Sequence, residues 1–169
     1  MVNRIFLIGY MGSGKTSMGK LLAESLHFTF EDMDARIEKK YHRTVSEIFN
    51  QMGESKFREI ERDCLHETAD FENVVISTGG GTPCFFDNME YMNAKGITVY
   101  LRLTAEQLAT RLENSRKGKR PLLADRKGDE LLRFIQQGLN AREPFYNKAQ
   151  RIVSGTDEEM VSKIISFSI

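Results

Sequence analysis

The residues with the clearest chemistry lie near the amino end, in the run Gly9–Thr16. This run reads GYMGSGKT and matches the pattern G-x-x-x-x-G-K-[ST] in full. Its glycines let the backbone wrap closely around a phosphate group, and its last two residues supply an ammonium group and a hydroxyl group. An apolar run precedes the motif and a helical pattern follows it, which is the context that the motif requires. The sequence therefore predicts binding of nucleotide phosphates.

Two carboxylates, Asp32 and Asp34, follow the next short apolar run. Ligands of α/β proteins bind at the carboxyl ends of strands. In an extended chain, alternate side chains point to the same side, so we expect both carboxylates to face one site. One of them could hold a metal, directly or through water, and the other an acceptor hydroxyl group. The alternative is that Asp34 caps the following helix and that Asp32 is solvated.

Two arginines are candidates for holding a carboxylate substrate, and each also has an ordinary explanation. Arg58 and Glu61 are spaced i,i+3 on a predicted helix, and spacing alone favours an exposed ion pair of little energetic value. The functional alternative is that Glu61 holds the Arg58 guanidinium group for bidentate binding. Arg142 lies just before Pro144 at a predicted helix end, where the helix dipole alone favours a cation.

A run of three glycines and a basic segment complete the candidate site. Gly79–Gly81 follow an apolar strand directly, and such a run leaves a backbone against which a ligand can lie. The segment 114–128 is polar and contains several basic residues, among them Arg120. Phosphoryl transfer spreads negative charge over the transferred group, and a mobile arginine commonly stabilises it. We therefore predict that this segment is a mobile lid.

These residues must be positioned by alternating strands and helices. Strands are predicted at Arg4–Ile8, Phe28–Glu31, Val74–Ser77, Ile97–Leu103 and Arg151–Val153. Helices are predicted at Lys15–Leu26, Ala35–Lys40, Val45–Asn50, Ser55–Ala69, Ala105–Glu113, Asp129–Ala141 and Asp157–Ser166, the last capped by Thr156 or Asp157. Strands separated by helices indicate an α/β fold with a parallel sheet covered on both faces. No linker divides the chain, so we predict one domain over residues 1–169.

The composition argues against several classes of partner. Lys and Arg number 24, as do Asp and Glu, so the basic excess of a nucleic-acid-binding protein is missing. No apolar run approaches the roughly 20 residues of a membrane span, and the amino end does not resemble a signal peptide. Cys64 and Cys84 lack metal-site spacing, and we interpret them as reduced thiols. We predict a cytoplasmic monomer that binds neither nucleic acid nor membrane.

Taken together, the motifs resemble the shikimate kinase family, within the nucleoside-monophosphate-kinase-like P-loop group. The resemblance covers Ile5 to about Ile152. It is carried by Gly9–Ser17, Asp32–Glu38, Phe57-Arg58 with Glu61, Gly79–Gly81, Arg120–Leu123 and Arg142–Tyr146. It implies a three-layer P-loop kinase fold with a five-stranded parallel sheet of order 2-3-1-4-5, a lid at about 114–128 and a substrate-binding region at about 32–61. It also implies transfer of the ATP γ-phosphoryl group to the 3-hydroxyl group of shikimate, in aromatic amino-acid biosynthesis.

The resemblance assigns a role to each candidate residue. ATP would be bound by Gly12, Ser13, Gly14, Lys15, Thr16, Ser17, Arg111 and Arg120, with Arg111 stacked on adenine and the loop Ser154–Asp157 on its other side. Mg²⁺ would be held by Thr16 and, through water, by Asp32. Shikimate would be bound by Asp34, Arg58, Gly80, Gly81 and Arg142, the two arginines clamping its carboxylate. Lys15, Asp34 and Arg120 would be the catalytic residues, with Asp34 orienting the attacking hydroxyl group.

Three rival functions remain open on the sequence alone. A gluconate kinase would work without the Arg58 and Arg142 pair, and a nucleotide kinase would accept a phosphorylated base. A regulatory module that only senses ATP would not need the acceptor-side residues Asp34 and Arg120.

Overall fold

The computed structural model describes residues 3–115 and 126–168. Its five strands are β1 (Arg4–Ile8), β2 (Thr29–Asp32), β3 (Val74–Ser77), β4 (Ile97–Leu101) and β5 (Arg151–Val153). They form one parallel sheet in the order β2-β3-β1-β4-β5, which confirms the predicted order. Four consecutive residues of β1, from Ile5 to Ile8, are fully buried. Because successive side chains point to opposite faces, both faces of the sheet are covered.

In the described residues, seven α-helices connect and flank these strands. They are α1 (Lys15–Leu26), α2 (Met33–Tyr41), α3 (Val45–Thr68), α4 (Asn88–Lys95), α5 (Ala105–Asn114), α6 (Gly128–Tyr146) and α7 (Asp157–Ser168), with a 3₁₀ turn at Thr82–Cys84. Caps define several helix starts: capping boxes at Thr44 and Thr104 begin α3 and α5. Thr156, one of the two predicted caps of α7, exchanges hydrogen bonds with Glu159. In residues 3–115 and 126–168, no helix is long and apolar enough to cross a membrane.

The register of the central strands brings three loops together. Leu7 of β1 pairs with Ser77 of β3, which in turn pairs with Asp32 of β2. The chain after β1 is the phosphate loop, the chain after β3 is the glycine run, and Asp32 ends β2. Since parallel strands end at the same edge of a sheet, all three segments lie side by side at the carboxyl edge.

The helix prediction was wrong in four places. α2 begins at Met33, so the chain is helical rather than extended at Asp34, and the alternation argument for the two aspartates fails. The two helices predicted on either side of Gly53 form α3, which is kinked where Gly53 has non-helical angles (φ 81°, ψ 166°). α6 continues past the predicted end at Ala141 to Tyr146, with Pro144 inside it. α4 was not predicted at all.

Candidate active site

The phosphate loop holds its lysine against its own carbonyl groups. The Lys15 Nζ atom donates hydrogen bonds to the carbonyl oxygens of Gly9 at 2.8 Å and Tyr10 at 3.1 Å, and the residue is only 9% exposed. Gly14 is the N-cap of α1 and has left-handed angles (φ 92°), a conformation that strongly favours glycine. The ammonium group and the start of α1 are thereby directed to one place, where a phosphate group would meet both.

The hydroxyl group and the carboxylate that are predicted to hold the metal are in contact. Thr16 donates a hydrogen bond from Oγ1 to Asp32 Oδ2 at 2.8 Å, while Asp32 Oδ1 accepts from the backbone N–H of Ala35 at 3.1 Å. Asp32 is therefore the cap of α2, and the alternative in which Asp34 caps it is wrong. The adjoining oxygens suit Mg²⁺, which prefers oxygen ligands and keeps several waters. Within residues 3–115 and 126–168, no group of three His, Cys, Asp or Glu residues forms a protein-only metal site.

Asp34 lies next to the glycine run, and the charge of Lys15 in the phosphate loop acts on it. A Cβ atom at Gly79 would be 3.3 Å from its Oδ1 atom. The side chain is accessible from the cleft but has protein around most of it, and this desolvation raises the pKa of Asp34 to about 6. The neighbouring carboxylates of Asp32 and Glu61 raise the pKa further, and Lys15 opposes them. Perturbed pKa values of this kind are frequent at functional sites, so Asp34 stays a candidate for contacting a polar ligand.

Arg58 is held in a buried arrangement, and the interpretation as an exposed ion pair was wrong. Its Nη1 atom is 3.0 Å from Glu61, and the two side chains are only 11% and 2% exposed. The exposed Glu54 lies 3.4 Å from Nη2, and the Phe85 ring lies 4.1 Å from the guanidinium carbon. A Cβ atom at Gly81 would be 2.5 Å from Nη1, so the guanidinium group lies directly on the glycine run.

Arg142 reaches the same glycine run, at Gly80. It lies within α6 rather than at its end, so the helix dipole at a terminus no longer accounts for it. Its Nη1 atom would be 3.1 Å from a Cβ atom at Gly80. The backbone there is fixed by Tyr146, whose hydroxyl group donates to the Gly80 carbonyl oxygen at 2.5 Å. Two guanidinium groups therefore approach consecutive glycines, an arrangement suited to gripping one small anion.

Arg111 lies beside the phosphate loop. Its Nη2 atom pairs with Asp157 at 2.5 Å, and its Nη1 atom would be 3.0 Å from a Cβ atom at Gly14. The structure thus brings together the arginine and the loop Ser154–Asp157 that were predicted to enclose adenine, next to the phosphate loop. Arg120, the predicted lid arginine, lies outside the described residues, as does most of the segment 114–128.

Three aromatic residues of the site were not singled out from the sequence. Tyr10 lies under Arg142 at 5.2 Å, Phe85 lies under Arg58, and Tyr146 anchors Gly80. Tyr10 occupies a variable position of the phosphate motif, and Phe85 follows the glycine run without any periodic pattern. Their proximity to the arginines comes from the tertiary structure, so no local sequence signal points to it.

Comparison with known proteins assigns the chain to a family. The family model described as shikimate kinase matches residues 11–168. The chain belongs to the shikimate kinase family. A shikimate kinase of Parabacteroides distasonis is 57% identical over 148 residues, which cover 88% of this chain and 85% of that protein. One from Bacteroides fragilis (strain YCH46) is 53% identical over 161 residues, covering 95% of this chain and 89% of that protein.

Superposition on solved structures supports the same family. The crystal structure of shikimate kinase from Bacteroides thetaiotaomicron superposes with a TM-score of 0.94 at 48% identity, covering 99% of this chain and 98% of that one. Shikimate kinase from Acinetobacter baumannii, solved in complex with shikimate, gives a TM-score of 0.88 at 32% identity, covering 99% and 93%. A gluconokinase from Sinorhizobium meliloti, at 18% identity and a TM-score of 0.61, shares the fold alone. The P-loop kinase fold and the ATP-dependent kinase activity expected from the sequence are confirmed.

Proposed function

We propose that this cleft transfers the γ-phosphoryl group of ATP to the 3-hydroxyl group of shikimate, giving shikimate 3-phosphate and ADP. Membership of the shikimate kinase family supports the reaction. The observation in the chain itself that carries the proposal is the convergence of Arg58 and Arg142 on Gly81 and Gly80. A pair of guanidinium groups at the acceptor end forms charge-assisted hydrogen bonds with a carboxylate. A neutral sugar or a base has no carboxylate to form them.

On the acceptor side, binding and chemistry fall to different residues. Arg58 and Arg142 bind the carboxylate of shikimate, a group that the reaction leaves unchanged. Asp34 accepts a hydrogen bond from the attacking hydroxyl group and orients it toward the phosphoryl group. Phosphoryl transfer is largely dissociative, so orientation matters more than base strength. The Gly80 and Gly81 backbone lines the acceptor pocket between the two arginines.

On the nucleotide side, the residues of the phosphate loop bind ATP. The backbone from Gly12 to Ser17 surrounds the phosphate groups, and Lys15 contacts the β- and γ-phosphates. Thr16 and, through water, Asp32 would hold Mg²⁺, which when bound neutralises charge on the β- and γ-phosphate oxygens. Arg111 lies beside adenine, across from Ser154–Asp157, and Arg120 supplies charge from the lid. The monomeric state, the cytoplasmic location and the lid motion stay predictions.

A comparison of acceptors tests the proposal. ADP release is measured in a coupled assay with shikimate, quinate, gluconate and nucleoside monophosphates, each at the same concentration. We expect shikimate to be preferred in kcat/KM by at least about 100-fold. Nucleoside monophosphates lack the carboxylate, and quinate and gluconate carry it but place their hydroxyl groups differently, so each leaves polar groups of the site unpaired. Preferential use of gluconate or of a nucleoside monophosphate would overturn the proposal. Binding of ATP without ADP release in the presence of any of these acceptors would instead support the ATP-sensing alternative.

A further inference from the structure

One stripe of α6 contacts both loops of the site. Gly138, Arg142 and Tyr146 are spaced four residues apart and so share one side of the helix. Gly138 and Arg142 contact Tyr10 of the phosphate loop, and Arg142 and Tyr146 contact Gly80 of the glycine run. A single helix surface therefore lies against the nucleotide side and the acceptor side at once.

The Tyr10 ring packs directly against the backbone of α6 at Gly138, where a residue with a side chain would collide with it. The Tyr10 residue is 2% exposed, although it lies in the phosphate loop. A Cβ atom at Gly138 would lie 2.5 Å from the Tyr10 hydroxyl oxygen and 3.1 Å from two of its ring carbons. Any side chain at position 138 would have to displace the ring, and buried surroundings leave it little room to move. The glycine thus fixes where the ring lies.

The ring in turn supports Arg142. The guanidinium carbon lies 5.2 Å from the ring centroid of Tyr10, within the range of a cation–π interaction. A Cβ atom at Gly80, which would lie 3.1 Å from Arg142, would also be 3.6 Å from the Gly9 carbonyl oxygen and from the Met11 backbone nitrogen. Gly9 and Met11, which flank Tyr10, therefore lie next to Gly80, the glycine that Arg142 also contacts.

We propose that Tyr10 is a positioning residue for the acceptor: its ring, seated at Gly138, holds Arg142 in the place where it binds the shikimate carboxylate. The inference rests on the proposed function, since it takes Arg142 as a ligand of the acceptor. A guanidinium group that is already held in its binding position loses less freedom when the substrate binds. A residue of the ATP-binding motif thereby contributes to affinity for the other substrate.

Two substitutions disturb the ring in different ways. Tyr10→Leu removes the ring, and Gly138→Ala displaces the ring from its position against α6. We expect each to raise KM for shikimate about three- to tenfold, the range expected for loss of a cation–π contact, with KM for ATP changed by less than about twofold. Alanine favours a helix over glycine, so the effect of Gly138→Ala does not come from a weakened α6. Tyr10→Phe, which keeps the ring, should restore KM for shikimate to near the original value.

The control is a second arginine–aromatic pair far from the cleft. Arg151 lies 5.5 Å over the ring of Phe167. Arg151 is the first residue of β5, at the amino edge of the sheet, whereas the site lies at the carboxyl edge. Phe167→Leu should therefore leave KM for shikimate unchanged. Each Tyr10 and Gly138 variant is also made in an Arg142→Ala background, where we expect it to have no further effect on KM for shikimate.

The outcomes separate this inference from the proposed function. Effects on KM for shikimate that vanish in the Arg142→Ala background support both. If Arg142→Ala raises that KM but Tyr10→Leu and Gly138→Ala do not, the positioning role is overturned and the proposed function stands. Effects of equal size with and without Arg142, or effects mainly on KM for ATP, also overturn the positioning role. If Arg142→Ala itself leaves KM for shikimate unchanged, the assigned clamp fails and the inference fails with it.

Discussion

The Arg58 guanidinium group lies 3.0 Å from the Glu61 carboxylate, and only 11% and 2% of the two side chains are exposed. Loss of either charge would destabilise the fold, because the other charge would stay buried without a partner. The pair thus fixes a guanidinium group that also faces Gly81. Glu61 touches no substrate in this account, yet the acceptor site depends on it.

Glu61→Ala should therefore affect both stability and acceptor binding. We expect the free energy of unfolding to fall by about 2–4 kcal/mol and KM for shikimate to rise about tenfold or more, because Arg58 loses its buried partner. Glu54→Ala is the matched control: this partner is 55% exposed at 3.4 Å, and its loss should cost less than about 1 kcal/mol. Urea unfolding and steady-state kinetics measure both. Equal effects of the two substitutions would contradict the assigned importance of the buried pair.

Lys15→Ala should abolish turnover while the fold persists. Removal of a compact positive charge from the phosphate site typically costs about 100-fold or more in kcat. Lys20→Ala, an exposed position on the same helix, is the control and should leave kcat unchanged. Circular dichroism and the coupled assay are run on both variants. A Lys15→Ala enzyme that keeps more than about a tenth of kcat would rule out the assigned role.

Asp34→Asn should lower kcat by about 100-fold with a smaller change in KM for shikimate. The amide keeps the size of the side chain but removes the charge that orients and accepts the proton of the attacking hydroxyl group. Asp63→Asn, at an exposed position of α3, serves as the control. A rise in KM with kcat unchanged would show that Asp34 only binds the acceptor.

Arg111→Ala should act on the other substrate. The arginine lies beside Gly14 and is held by Asp157, so we expect KM for ATP to rise about three- to thirtyfold with KM for shikimate unchanged. Asp157→Ala should change KM for ATP in the same direction by less, and Arg133→Ala, an exposed arginine on α6, should have no effect. Unchanged KM for ATP in the Arg111 variant would place adenine elsewhere.

The sequence predicted what depends on local pattern and missed what depends on contacts across the chain. The motif at Gly9–Thr16 and the apolar strands were sufficient for the phosphate loop and a parallel sheet, whereas the strand order came from the family resemblance. The alternation argument for Asp32 and Asp34 failed because α2 begins directly after the strand ends, and side chains do not alternate between two faces in a helix. The helix Asn88–Lys95 was missed because it is only about two turns long, which is too short to show a clear helical period.

α6 illustrates the same limit at its carboxyl end. Pro144 suggested that the helix stops before it, since proline cannot donate the helical hydrogen bond. The helix continues because Tyr146 is fully buried, packs on Tyr100 at 5.0 Å and donates to Gly80. Those contacts join residues more than 40 positions apart. No pattern within the helix predicts them, and the same holds for Phe85 beneath Arg58.

The most direct test of the carboxylate clamp is KM for each substrate in Arg58 variants. Arg58→Ala should raise KM for shikimate about 30- to 1000-fold, which corresponds to roughly 2–4 kcal/mol for a lost charge-assisted bidentate pair. Arg58→Lys keeps the ion pair with Glu61 but loses the planar fork, and we expect a smaller rise. KM for ATP should stay nearly constant in both variants. If Arg58→Ala instead raised KM for ATP and left that for shikimate unchanged, Arg58 would belong to the nucleotide side, and the account of the acceptor site would be contradicted.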